Sequence, residues 1–170
     1  LAADAGGFYS QAAANRIRAQ HLERLGLMWC MAALGDAFQH WVYDHPDLAT
    51  DPAACDTEWL RLTRRFFPFL DIIGVEREEA MQWRTDWHFF LQPFYFIEYA
   101  FAQLGAVQIW RNAQHDPVRA FEQYRAALRL GYTVPLPELY ATAGAKFAFD
   151  AATLREAMDL IERTIEAFEE

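Results

Sequence analysis

Cysteine is scarce in this chain, with only Cys30 and Cys55 among 170 residues and no CxxC spacing between them. That excludes a disulfide-rich scaffold and a thiolate zinc finger, and two thiols in apolar or small-residue settings read as free in a reducing cytoplasm. Uncharged apolar runs of the ~18 residues that a membrane span needs are also missing, which leaves no membrane partner. Positive charge is in the minority: 15 Lys and Arg face 24 Asp and Glu, giving a net charge of -9 and a pI near 5.0. Nucleic-acid binding by counterion release needs clustered cations, and none cluster here. Arg61, Arg64 and Arg65 come nearest and read as a solvated or ion-paired helix face. Gly26, Gly35, Gly105 and Gly144 are isolated, without a phosphate-cradling G-x-G or P-loop spacing. The five histidines, at 21, 40, 45, 88 and 115, include no pair four apart, so the chain carries no His-Glu-x-x-His zinc pentad.

What the chain has in quantity is apolar and aromatic side chain, 54% and 16% of its residues. One domain's worth of length could bury roughly 70% of its unfolded surface, and this composition offers more core-forming surface than a small domain uses. The periodicity is helical almost throughout, and no stretch passes the period-two test for a strand, so the expected fold class is all-α. From Ser10 to Tyr43 two apolar stripes, Ile17-Leu25-Met28-Ala32-Trp41 and Leu27-Met31-Leu34-Phe38, predict a long helix buried on much of its surface. The His45-Pro46 step ends it. Asp56 reads as the N-cap of a short helix over Glu58–Phe67, residues 69–76 as irregular, and Glu78–Trp87 as helix again. Pro93 reads as the entry to a helix reaching Arg111. Asp116-Pro117 opens the next, with Phe121, Tyr124 and Leu128 on one face and Gly131 at its end. A short helix over Pro137–Ala143 follows, and Asp150 caps a last one whose stripe is Leu154, Met158, Ile161, Ile165 and Phe168.

One segment carries most of the chemistry: His88-Phe-Phe-Leu-Gln-Pro-Phe-Tyr-Phe-Ile-Glu-Tyr-Ala-Phe-Ala-Gln-Leu-Gly-Ala-Val-Gln-Ile-Trp110. It is apolar nearly all round yet holds two tyrosines and a glutamate. Polar groups set in such a run need partners, since burying them bare costs a few kcal/mol. Tyr95 and Tyr99 are four apart and share a helix face, where two phenols could stabilise a developing oxyanion without charge of their own. On the sequence alone, amphipathic core residues bonded to backbone or water are the favoured reading of both. Glu98 points about 100° away from Tyr99 and reads as a buried ion-pair or helix contact. Gln103 could extend the polar stripe or serve a core hydrogen bond.

The segment resembles the signature H-x-F-x-x-P-F-Y-Y-I-E-Y-x-x-A-Q-L-G-A of the oligoendopeptidase F family, zinc metallopeptidases related to thimet oligopeptidase. Further blocks resemble the same family in order along the chain: Asp36-Ala-Phe-Gln-His-Trp-Val-Tyr-Asp-His-Pro46, Trp59 with Arg64-Arg65-Phe66, Tyr124 to Gly131, and Leu136 to Asp150. The resemblance implies that residues 1–170 are a single all-helical piece, the C-terminal part of a peptidase catalytic domain. It implies short peptides as substrates, the remainder of the same chain as a partner, and zinc as the cofactor of the complete enzyme, bound upstream and not by this piece. The family's third zinc ligand precedes a Phe-Tyr pair like Phe8-Tyr9, so with the chain starting at Leu1 this piece alone should cleave nothing. In the family the residues matching His88 and Tyr99 contact the substrate or transition state, and the family's Tyr-Tyr pair is here Tyr95-Phe96, which makes Tyr95 a third candidate donor because Phe96 cannot donate.

Other readings stay open at this point. A free-standing helical interaction protein could inherit the scaffold without its metal centre. Residues 120–130 resemble the second helix of a tetratricopeptide repeat, but the pattern occurs once and a repeat scaffold needs recurrence. Asp36 and His40 share a helix face while His45 lies beyond the helix end, so buried structural histidines are favoured over ligands. His21 and His115 carry no signal.

Overall fold

The structure, a computed structural model, describes residues 8–169, and every described element is helical. The all-α expectation holds. The helices are α1 (Gln11–Asp44), α2 (Pro46–Ala49), α3 (Pro52–Phe66), α4 (Glu76–Ala80), α5 (His88–Leu91), α6 (Ile97–His115), α7 (Pro117–Leu130), α8 (Leu136–Thr142) and α9 (Ala151–Glu169), with a 3₁₀ turn at Gln82–Thr85. The chain divides into two compact units: Leu27–Ala100, and Leu1–Gly26 together with Phe101–Glu170.

In the first of these, α3 begins where Asp51 accepts the Ala53 N–H at 2.9 Å and Pro52 takes the first helical position, where its missing N–H costs nothing. The expected start near Asp56 is therefore corrected by one and a half turns. Asp56 lies inside the helix and holds Arg84 at 2.6 Å and the Trp83 indole N–H at 2.8 Å. The core joins Leu34 and Phe38 of α1 to Cys55, Trp59 and Leu62 of α3, flanked by Trp41, Phe66, Trp83 and Phe89. Leu27 and Met31, assigned to a buried stripe, are exposed. The helix expected over Glu78–Trp87 is broken into α4 and the 3₁₀ turn, and residues 69–75 are irregular as expected.

In the other unit, α7 is capped by Asp116, which accepts the Arg119 N–H at 3.0 Å, and ends at Gly131, whose φ is 54°. Its buried positions are Ala120 and Ala127, and the face that carries Phe121, Tyr124 and Leu128 is exposed. Asp150 caps α9 as expected, accepting from Thr153 and Ala152. The buried face of α9 is Thr153, Ala157, Leu160 and Ile161, so it is turned away from Leu154, which is exposed. Gln108 of α6 clasps Lys146 from both sides, donating to its carbonyl at 3.1 Å and accepting its N–H at 2.9 Å. Asn112 donates to the Gly144 carbonyl at 2.7 Å.

Candidate functional site

The three residues singled out from the sequence lie in the Leu27–Ala100 unit, and the structure brings them together. His88 opens α5, and Tyr99 lies in the first turn of α6. Between them the chain does not enter a helix at Pro93. It reverses through Phe94, whose φ of 62° is left-handed, and no right-handed helix runs through such a residue. Helix α6 therefore starts at Ile97, a correction with a structural cause. The reversal leaves Tyr95 in the turn that leads into α6.

Two features of α1 hold this reversal. Gln39 is buried, and its side-chain oxygen accepts the Phe94 N–H at 2.7 Å, satisfying a backbone donor that the turn would otherwise orphan. Gly35 supplies the close approach. A Cβ there would meet the Phe89 ring at 3.0 Å and Phe96 at 3.3 Å, so the bare backbone lets both rings sit against the helix. Neither role was legible beforehand. A glutamine beside Phe38 in the apolar part of α1 was the available signal for Gln39.

The imidazole of His88 sits among rings. Trp87 stacks on it at 4.0 Å between centroids, Phe96 lies at 5.3 Å, Tyr99 meets it edge-on at 5.8 Å, and Tyr95 runs nearly parallel at 6.2 Å. Tyr95 and Tyr99 meet each other edge to face at 5.4 Å. Both tyrosines keep open surface, 38% and 40%, so neither is sealed in a core. Partial desolvation first, then the adjacent Tyr95 hydroxyl, raises the Tyr99 pKa above its ordinary value of 10.0. A phenol shifted that way keeps its proton and remains a hydrogen-bond donor. Phe96 is buried and serves only packing.

Asp86 sets the histidine. One carboxylate oxygen accepts the His88 backbone N–H at 3.0 Å and lies 2.7 Å from the ring Nδ1. Nε2 is buried and has no partner among the described residues. Glu98, expected in a buried ion pair or helix contact, is instead exposed, and no ion pair of the described residues includes it. Gln103 is half-buried in the other unit, with its side-chain oxygen covered and unpartnered.

Among the described residues no three His, Cys, Asp or Glu side chains are grouped as a metal site. His40 Nε2 lies 3.6 Å from Asp36, whose pKa burial raises and the His40 charge opposes. His45 has its Nδ1 3.0 Å from the Trp41 carbonyl, an ordinary local contact. No described helix is long and apolar enough to cross a membrane. Phe8 and Tyr9 are described and pack edge to face at 5.5 Å, whereas Leu1 lies outside the described residues.

No curated protein matches the chain. The solved structure of PZ peptidase A with an inhibitor is similar, with a TM-score of 0.80 and 26% identity over 88% of this chain. The match spans 26% of that peptidase's length, so the chain corresponds to about a quarter of it. A model of peptidase family M3 matches residues 4–159, which takes in α1 through α8, the first part of α9 and every residue of the His88–Tyr99 cluster. On that match, the chain belongs to peptidase family M3.

Proposed function

We propose that this chain is the substrate-binding, C-terminal portion of an oligoendopeptidase F-like metallopeptidase that hydrolyses internal bonds of short peptides. The observation that carries the reading is the convergence of His88, Tyr95 and Tyr99, two half-open phenols and a fixed imidazole, in a chain of family M3. Phenols that keep their protons donate to a peptide carbonyl, and donate more strongly as that oxygen gains negative charge on becoming tetrahedral. Tyr99 is the first candidate for this role and Tyr95 the second.

The cofactor of the complete enzyme in this reading is zinc. The described residues offer it no ligand set, so it would be held by the remainder of the peptidase, and residues 1–170 would act as one all-helical portion of that larger catalytic domain. By itself the portion would cleave nothing. Its two free thiols and its excess of acidic residues suit a cytoplasmic protein that handles short peptides.

Exchange of Tyr99 for phenylalanine in the complete peptidase tests the reading. Turnover of a quenched fluorescent peptide should fall by on the order of 10²-fold, the usual cost of losing one oxyanion donor. KM should move little, and melting should be nearly unchanged because the hydroxyl is not buried. Unchanged turnover with a lowered melting temperature would make Tyr99 a packing residue and end the proposal.

A further inference from the structure

An amide offers a ligand site two handles, a carbonyl that accepts and an N–H that donates, and the phenols of Tyr95 and Tyr99 address only the first. The second needs an acceptor. His88 can supply one only if its ring proton resides on Nδ1, because a neutral imidazole has a single N–H and the other nitrogen then carries the lone pair. Asp86 lies where it decides this. Its Oδ1 is 2.7 Å from Nδ1, and an ionised carboxylate can only accept, so the proton between them belongs to the ring. The same oxygen accepts the His88 backbone N–H at 3.0 Å, so the carboxylate is tied to the start of α5 and the ring to the carboxylate. The far nitrogen, Nε2, is left buried without a partner, which is costly for a polar atom unless something meets it in another state of the site.

We infer that Asp86 is a positioning residue that holds His88 as its Nδ1–H tautomer, so that Nε2 meets a bound peptide as the acceptor of a backbone N–H. The inference rests on the peptide-site reading above and reverses the role first expected of His88, that of a donor. It also states what binding requires. Trp87, Tyr95 and Tyr99 pack around the imidazole and are themselves exposed, so at least one of these rings shifts when the amide reaches Nε2. Together the three groups offer a peptide backbone two donors for a carbonyl and one acceptor for an N–H.

Long-range ¹H–¹⁵N correlation spectra of the labelled chain test the assignment directly, since protonated and bare ring nitrogens are well separated. His88→Gln identifies the His88 signals among the five histidines. The expected result is a protonated Nδ1 and a bare Nε2 for His88. Asp86→Asn keeps the shape but not the charge, and with its amide nitrogen turned to Nδ1 a carboxamide behind a histidine gives the wrong tautomer. The Nε2 signal should then move to the protonated range, and Asp86→Ala should do the same with the cap removed. In the complete peptidase Asp86→Asn should lower kcat/KM for a quenched peptide about tenfold, the scale of one lost hydrogen bond. Asp86→Asn added to His88→Gln should lower it no further. A protonated Nε2 in the wild type, an unmoved tautomer in both Asp86 variants, or additive losses would overturn the inference. A complete protein that cleaves no peptide would overturn the peptidase reading and with it the proposed ligand, while the nitrogen signals still decide what Asp86 does.

Discussion

At the scale of single residues, the candidate site depends on side chains outside its three rings. Gln39 is the clearest case. It is buried in α1 and gives its oxygen to the amide of Phe94, the one non-glycine residue with positive φ among those described. A left-handed phenylalanine is uncommon and persists only where its surroundings over-determine it. Here the surroundings are Gln39 from below and the rings of His40 and Tyr43, each 5.0 Å from the Phe94 ring. Gln39→Met, close in shape but unable to accept, leaves the Phe94 N–H orphaned and should cost about 1–3 kcal/mol. Urea denaturation with an unchanged m-value and a lower midpoint would report that loss, and amide exchange at Phe94 would quicken. An unmoved midpoint with a still-protected Phe94 amide would mean that this bond is not what holds the turn. In the complete enzyme the same variant should loosen Tyr95, which follows the turn directly.

Among the elements, the caps were legible and the faces less so. Asp116-Pro117, Gly131 and Asp150 punctuate their helices as the sequence predicts, because capping is a local bargain between a side chain and the nearest amides. Helix faces are chosen by the neighbour, which the sequence does not display. In α7 the bulky Phe121, Tyr124 and Leu128 share one face, yet small Ala120 and Ala127 are the buried residues. The start of α6 was missed for a related reason: Pro93 is compatible with a first helical turn, but the reversal at Phe94 depends on Gln39, 55 residues away in sequence. The segment holding the candidate site was legible from its polar residues in an apolar run, whereas Asp86 lay just outside that run and gave no periodic signal. Two predictions belong at this scale. Gly105 of α6 faces Tyr140 of α8 so closely that a Cβ would stand 2.7 Å from its ring, and the Tyr140 hydroxyl is fixed by the Phe101 carbonyl at 3.0 Å. Helix propensity favours Gly105→Ala by ~1 kcal/mol, and overpacking opposes it by ~1–3 kcal/mol. The ring is tethered, so Gly105→Ala should destabilise in the wild type and stabilise when Tyr140→Ala is already present. A cycle without that change of sign would remove the close-packing account of Gly105. The second prediction concerns acid. The Thr153 N–H first, and the Ala152 N–H after it, lower the Asp150 pKa below its ordinary 3.8 in the folded chain. A group depressed by folding contributes fully above its unfolded value and loses that contribution as pH falls through its folded one. Asp150→Asn still caps but does not titrate, so the stability difference between wild type and variant should grow from about pH 2 to about pH 5. Parallel acid profiles would show that the charge at this cap adds nothing.

For the molecule as a whole, the surface argues for company. Phe69 and Ile73 are 67% and 86% exposed in one unit, and Val118 and Leu128 are 68% and 61% exposed in the other. Isolated exposed apolar residues are ordinary, but aromatic and branched side chains recurring in both units are what a chain shows when other polypeptide covers part of it. The chain corresponds to 26% of the length of PZ peptidase A. These facts lead to a test at the scale of the intact protein. The purified chain, loaded with zinc and dialysed, should retain no stoichiometric metal and should not cleave a quenched peptide, because no described group of side chains can hold the ion. Supplied with the remaining part of an M3 peptidase, in one chain or as two co-expressed pieces, it should gain thermal stability as the exposed apolar residues are covered. Peptide cleavage abolished by a chelator should appear with that gain. Chelator-sensitive cleavage by the chain alone would mean that a metal site forms from these residues after all. The division of labour proposed here, with metal on one part of the protein and donors on the other, would then have to be given up.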